Sequence, residues 1–425
     1  MKYKFFTISI PILLLIIASF YVTSKFIKPA PKKEITIASG AITGNYYKTA
    51  LLYKKLLEKE NVKVNLLTSA GSIENIKLLK ENKADIAFLQ NGTTKENEEG
   101  IKSLASIYYE PLWVFYRNEG FPINYVIQLI SKKISIGEEG SGTKDLTSKI
   151  LKDNGIGNTN STIFNYDDKT AKEELIKGNI DAMFVVSTHK SETIEELLSN
   201  PDINVLSFKR AKAYSRKYPF LEALNLYEGT LDLYKNLPDE DINLLSTTAT
   251  LAVKDGFSEE LIRLVLKKIK EVHSKKDLFA KAEQFPNDLN MKLEIHEEAQ
   301  RYFEYGDTWL EKIFPYWIAS NIDRLKLFII PLLTLLFPLF KGFFPLYTWT
   351  MRSKIYRWYG EVKDLDNEID DLSKEELEKE LVTINKLKQE IQKETKVPLS
   401  FMGEYYNLQL HLDLIENKIE KKLSS

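Results

Sequence analysis

The sequence contains no cysteine. Disulfides and thiolate metal sites are therefore excluded, and the redox compartment stays undecided. Histidine is scarce: His189, His273, His296 and His411 are scattered, without the close spacing that a zinc site needs. An excess of charge of either sign is lacking too, since 59 Lys and Arg stand against 60 Asp and Glu. That balance points to neither nucleic acid nor an acidic surface as a partner. Catalytic signatures are also missing. There is no Ser–His–Asp order, no H-E-x-x-H and no recognisable carboxylate pair, so the chain reads as a non-enzyme that carries no cofactor.

What is present begins with two long apolar runs. The first extends from Phe5 to about Val22 after a short basic start at Lys2 and Lys4. It is close to the ~20 residues that cross a bilayer. No A-x-A cleavage site follows, so the run is expected to be an uncleaved anchor. The second extends from Leu325 to about Tyr347. Its prolines (Pro331, Pro338, Pro345) would break a soluble helix but are tolerated within membranes. Tyr347, Trp349, Tyr356 and Trp358 supply an aromatic belt, and Arg352, Lys354 and Arg357 place that side in the cytoplasm. The basic residues Lys25, Lys28, Lys32 and Lys33 fall on the outer side of the first run, so the expected topology rests on the second. In it both termini are cytoplasmic and the domain between the runs is extracytoplasmic.

Between the runs, apolar β-branched segments alternate with helical patterns, which predicts an α/β fold with parallel sheets and crossover helices. Expected strands are Glu34–Ser39, Val62–Thr68, Asp85–Gln90, Lys133–Gly137, Thr162–Tyr166, Asp181–Val186 and Ile203–Phe208. An echo between KADIAFLQ (Lys83–Gln90) and NIDAMFVV (Asn179–Val186) fits two similar lobes, and it equally fits two ordinary helix–strand turns. After the second apolar run, Leu377, Leu381, Ile384, Leu387 and Ile391 recur at helical spacing. Tyr405, Leu408, Leu412, Ile415 and Ile419 do the same beyond Pro398. This predicts a helical hairpin or coiled coil that packs on itself or on a second copy. The expected organisation is thus an anchor over residues 1–30, an α/β domain over 31–312, a membrane segment over 325–347 and a cytoplasmic helical hairpin over 350–425.

Three places share one design, in which a strand meets a loop of small residues and then a helix: Ile37–Tyr47, Leu66–Leu79 and Ile134–Leu146. Helix N-termini present unpaired N–H groups and partial positive charge, which suits carboxylates or phosphates. In open parallel sheets such loops gather at the carboxyl ends of the strands. Ser72, Ser141 and Thr143 could equally be ordinary N-caps, which need no ligand. The spacing of GSGT (Gly140–Thr143) before Lys144 is not that of a phosphate loop, and GAITGNYY is not a dinucleotide fingerprint.

Several segments resemble the TAXI family of TRAP-transporter solute-binding proteins, in a membrane-anchored branch. They are TGNYY (Thr43–Tyr47), TSAGSIENIKLL (Thr68–Leu79), ADIAFLQ (Ala84–Gln90), YYEPLWVF (Tyr108–Phe115), GEEGSGT (Gly137–Thr143) and DAMFVV (Asp181–Val186). The resemblance implies a periplasmic-binding-protein-like Venus-flytrap fold of two lobes, flanked here by two transmembrane helices. Lobe 1 would hold roughly Glu34–Leu104 and the chain after Leu244, and lobe 2 roughly Lys132–Phe208. YYEPLWVF and LLSTTATLAV (Leu244–Val253) would cross between them. It also implies capture of a small carboxylate, an amino acid or a dicarboxylate, for a TRAP permease at the bacterial inner membrane. The ligand-binding residues carried over are Gly44, Asn45, Tyr46, Ser72, Gln90, Ser141, Gly142 and Thr143. The ring of Tyr46 would pack on the ligand and the others would donate hydrogen bonds. The sequence departs from the family in its second apolar run and at EGTLDLYKNLP (Glu228–Pro238), where an aromatic is displaced. The cytoplasmic extension also admits a ligand sensor or scaffold without transport.

Overall fold

A computed structural model describes residues 14, 17–25, 30–94, 98–289 and 291–424. Residues 17–25 are helical. Most of the expected N-terminal anchor lies outside the described residues. One compact unit spans Pro29–Arg324, and the helices after Leu325 belong to a second.

The first unit is built on a ten-stranded sheet whose path runs β2-β1-β3-β10-β4-β7-β5-β6. Strands β1 (Glu34–Ala38), β2 (Lys63–Leu67) and β3 (Ile86–Gln90) are parallel and form lobe 1. Strands β5 (Lys133–Ser135), β6 (Thr162–Phe164) and β7 (Ala182–Val186) are parallel and form lobe 2. Two long antiparallel strands, β4 (Ile101–Arg117) and β10 (Ile242–Lys254), run through both. β8 (Ile203–Val205) pairs with β4, and β9 (Glu222–Leu226) pairs with β10. All seven segments expected as strands are strands, shortened by a residue or more. β9 was not anticipated: its EALNL pattern is only half-buried, so no apolar alternation announces it.

Each parallel step carries its helix. Helix α1 (Asn45–Glu58) buries Thr49, Ala50, Tyr53 and Leu57, a stripe at helical spacing. Helix α2 (Ser72–Lys80) covers the next step. In lobe 2, α3 (Gly142–Asp153) buries Leu146, Ile150 and Leu151. Helices α4 (Asp168–Lys177), α5 (Glu192–Leu198) and α6 (Ala211–Lys217) follow. Lobe 1 has one main core around Ile35, Ile37, Phe88, Leu251 and Leu266. Lobe 2 has a core on each sheet face, one around Leu112, Ile134 and Phe184 and one around Trp113, Phe115 and Val185.

Four more helices complete the unit: α7 (Glu259–His273), α8 (Glu297–Tyr305), α9 (Trp309–Ile313) and α10 (Tyr316–Leu325). One buried cation ties them together. Arg263 of α7 gives Nη1 to Glu298 at 2.9 Å, Nε to Glu311 at 2.7 Å and Nη2 to Asp323 at 3.3 Å. The unit therefore continues to Arg324, twelve residues beyond the end expected at residue 312.

In the second unit, α11 (Ile329–Tyr356) runs unbroken through its three prolines. Its 28 residues span ~42 Å at 1.5 Å per residue. Among the described residues, one helical stretch, Pro331–Glu368, is long and apolar enough to cross a membrane by length and composition. Beyond it come α12 (Tyr359–Glu368), α13 (Lys374–Glu394) and α14 (Met402–Leu423). α13 and α14 lie antiparallel, with Lys388 between Asp413 and Glu416. The arrangement is more than the hairpin read from the sequence. Val362 of α12 shares one apolar core with Ile384, Leu387, Leu408 and Leu412, and Trp358 gives its indole N–H to Thr395 at 2.9 Å.

Removing one partner of a buried ionic cluster leaves the others uncompensated. Arg263→Met should therefore cost about 3–5 kcal/mol, read as a lower urea midpoint at unchanged slope.

Candidate functional site

The carboxyl ends of the lobe strands converge on a cleft of about 590 Å³ between the lobes. All eight residues singled out from the sequence line it: Gly44, Asn45, Tyr46, Ser72, Gln90, Ser141, Gly142 and Thr143.

The first loop keeps its donors open. Gly44 is the N-cap of α1 in extended conformation and offers no side chain to the helix end. Among the described residues no acceptor meets the N–H groups of Asn45 and Tyr46. A helix end left in this state binds a carboxylate well.

The second loop does not. The N–H groups of Ile73 and Glu74 reach the carbonyl of Gly140, in the other lobe, at 3.1 and 3.4 Å. Two of the first three N–H groups of α2 are thus taken by protein, and that of Ser72 has no acceptor among the described residues. Ser72 is not an N-cap either; its Oγ accepts the N–H of Gln90 at 2.7 Å. The other residues of the SIEN motif are also structural. Glu74 accepts the N–H of Ala70, and the buried amide of Asn75 donates to the carbonyls of Ser39 and Phe88. The motif ties together the ends of β1, β2 and β3.

The third loop is mixed. Ser141 is an ordinary N-cap: its Oγ accepts Lys144 N–H at 3.1 Å and donates to the Glu138 carbonyl at 2.6 Å. Thr143 Oγ1 accepts the N–H of Val186 at 3.3 Å, stitching α3 to β7. The N–H groups of Gly142 and Thr143 have no acceptor among the described residues. Gly137 at φ +97° allows the loop, since a Cβ there would lie 2.8 Å from Thr143.

Gly142 is also where the lobes meet. Its carbonyl accepts Gln90 Nε2 at 3.2 Å, and a Cβ on Gly142 would fall 2.6 Å from Gln90 Oε1. Lys149 Nζ reaches the Gly92 carbonyl at 3.1 Å along the same seam. A second hollow of about 690 Å³ runs past Ile73, Lys77, Glu139 and Lys144. Neither α1 nor a buried charge faces it, so the inner cleft holds the chemistry.

Several cleft residues were missed by the sequence reading. Glu110, on β4, is 4 % exposed and accepts the Tyr46 hydroxyl at 2.8 Å. The ring of Tyr46 stacks on Phe88 at 5.2 Å. Tyr46 therefore positions Glu110 as well as lining the cleft. Burial pushes the Glu110 carboxyl from the ordinary 4.5 up to about 8, against the pull of the Tyr46 hydrogen bond. Across the cleft stand Glu138, Asp167, Asp168 and Glu192, with Lys169 and Lys172. Desolvation, helped by the charges of Asp167 and Glu138, lifts Asp168 to about 7. Asp167 behaves oppositely. Burial alone would raise it, but the Thr170 hydroxyl and the N–H groups of Thr170 and Lys169 hold it below the ordinary value. Lys172 is already bound to Glu196. The run YYEPLWVF was legible as a crossing strand, but only its register, with Glu110 opposite Thr247, places that carboxylate at the cleft.

Two α/β lobes joined by a pair of crossing strands, with a polar cleft between, define a periplasmic-binding-protein-like fold. The chain belongs to the NMT1-like family, which matches residues 37–305. No curated protein matches the sequence. Similar solved structures include the BenM effector-binding domain with benzoate, at 16% identity over 63% of this chain and 100% of that one, TM-score 0.40. An ancestral arginine-binding protein bound to arginine has 16% identity over 57% and 92%, TM-score 0.39. The periplasmic aliphatic sulphonate-binding protein SsuA from Escherichia coli has 15% identity over 58% and 70%, TM-score 0.37.

Between pH 4.5 and about 8 the folded chain keeps the Glu110 proton that the unfolded chain has lost. Stability on this account falls as pH rises through that window. Glu110→Gln removes the penalty and keeps the acceptor for Tyr46. The variant should melt about 2–5 °C above the parent at pH 8.5 and level with it at pH 4.5, by scanning calorimetry.

Proposed function

We propose that this chain captures a small carboxylate-bearing solute in the interlobe cleft, outside the membrane, for hand-over to a TRAP-type permease. The observation that carries this reading is the pair of helix N-termini, α1 at Gly44 and α3 at Ser141, whose open N–H groups line one cleft from opposite lobes. A carboxylate bound between them would draw the lobes together, and the two crossing strands supply the hinge. The motif resemblance of the three loops to TAXI-type binding proteins supports the same role. No catalytic step is needed, and none is proposed.

The apolar helix and the basic residues Arg352, Lys354 and Arg357 after it support a bacterial inner-membrane placement with the lobes outside. The folded helical unit after Ile355 favours a second reading, in which ligand binding is sensed on the cytoplasmic side. A delivery protein needs no such unit.

The full-length protein in nanodiscs should show ligand-dependent melting with amino acids or small acids. A ligand at a hundred times its Kd adds about 2.7 kcal/mol, a rise of about 2–4 °C at this size. A folded sample that responds to nothing in such a panel would remove the capture reading. Topology is tested separately, because the chain has no cysteine of its own. Tyr234→Cys, at a fully exposed loop, should react with an impermeant maleimide on spheroplasts, and Leu399→Cys only after lysis. The reverse pattern would invert the topology.

A further inference from the structure

The cleft has an acidic side that a simple carboxylate receptor would not need. Five carboxylates line it against two lysines, and Lys172 is held by Glu196. An acidic rim alone can be a solvated surface, but Glu110 is different. It is buried, it faces the cavity, and its only hydrogen-bond donor among the described residues is the neutral Tyr46 hydroxyl. No lysine or arginine pairs with it among those residues. A buried carboxylate without a cation is costly, and proteins keep such groups where a ligand completes them. Thr247, directly opposite on β10, brings no charge, and its hydroxyl is spent on the Asn91 carbonyl at 2.8 Å. The open N–H groups of Asn45 and Tyr46 belong to residues that line the same cavity as Glu110, and Tyr46 belongs to both features. The cleft thus offers one place for an anion and one for a cation.

We infer that the ligand carries a protonated amine that pairs with Glu110 while its carboxylate caps α1, and that its net charge is zero or positive. This rests on the capture reading and narrows it. Dicarboxylates and keto acids lack the cation that Glu110 calls for. A second carboxylate on an amino acid would have to face Glu138, Asp168 and Glu192. The class selected is a neutral or basic amino acid.

The test uses the full-length protein in nanodiscs, titrated calorimetrically with L-glutamine, L-lysine, L-glutamate, glutaramate (glutamine without its α-amine) and glutarate. L-glutamine or L-lysine should bind, and glutaramate, glutarate and L-glutamate should bind ~30-fold more weakly or not at all. Glu110→Gln keeps the Tyr46 contact and should weaken the amine-bearing ligand by ~30-fold or more, with its melting curve showing that it is folded. Glu110→Asp, which keeps a carboxyl group, should retain part of the affinity. Equal or tighter binding of glutarate or glutaramate would overturn the inference and leave solute capture standing. Binding of L-glutamine unchanged in Glu110→Gln would overturn it also. Absence of binding by every compound would remove capture and the inference together.

Discussion

The hydrogen-bonded pair of β4 and β10 is the constraint on which the first unit depends. Neither lobe owns these strands. Residues 249–253 of β10 pair with both β3 and β4 in lobe 1, while β4 from Leu112 onward pairs with β7 in lobe 2. Pro111 sits where β4 changes its second neighbour, just before the β7 pairing begins, so its missing N–H costs little there. Because the ladder is continuous, the lobes can rotate only by twisting it. Of the residues at its middle, Glu110 and Ser246 to Thr248, Glu110 lines the cleft that the lobes enclose. Those residues are polar and nearly all buried. Such a stretch is tolerated because neighbours satisfy most of it, as when Thr247 donates to Asn91 and Ser106 meets Thr248.

The cleft is a competition between the protein's own groups and a ligand for the same donors. Most of the N-terminus of α2 has lost that competition, since Gly140 of the opposite lobe accepts from Ile73 and Glu74. Ser141 and Thr143 spend their hydroxyls on their own neighbourhood. The groups left over are backbone N–H donors on α1, on α3 and at Ser72, and the carboxylates of the cleft. The seam that closes the lobes runs through Gln90 and Gly142, whose small size lets the backbone approach the amide. Closure and binding therefore share one surface, and changes at Gly142 act on both.

Much of the fold was readable from residues alone. Buried central strands write themselves as unbroken apolar runs, as in IAFLQ and AMFVV, and amphipathic helices write a stripe, as in α13 with Leu377, Ile384 and Ile391. The three loops were visible because glycine and hydroxyl residues cluster at strand ends. β9 was not visible, because a half-buried strand beside a long one has no pattern of its own. Asn75 was read as part of a recognition motif, yet its amide is buried and serves only the protein. Nothing in SIEN distinguishes an asparagine that meets a ligand from one that meets two carbonyls.

The sequence by itself determined the order of strands and helices, the apolar helix with its basic flank, and the set of loops that meet in one place. Those follow from local periodicity and composition, which act over a few residues. The tertiary structure alone decided which donors remain open, because that depends on groups far apart in the chain, such as Gly140 over α2 or Gln90 over Gly142. It also decided that Glu110 faces the cleft with no cation paired to it among the described residues. The burial of one carboxylate with only a neutral hydroxyl as its partner among the described residues is a property of the register between two strands separated by more than a hundred residues.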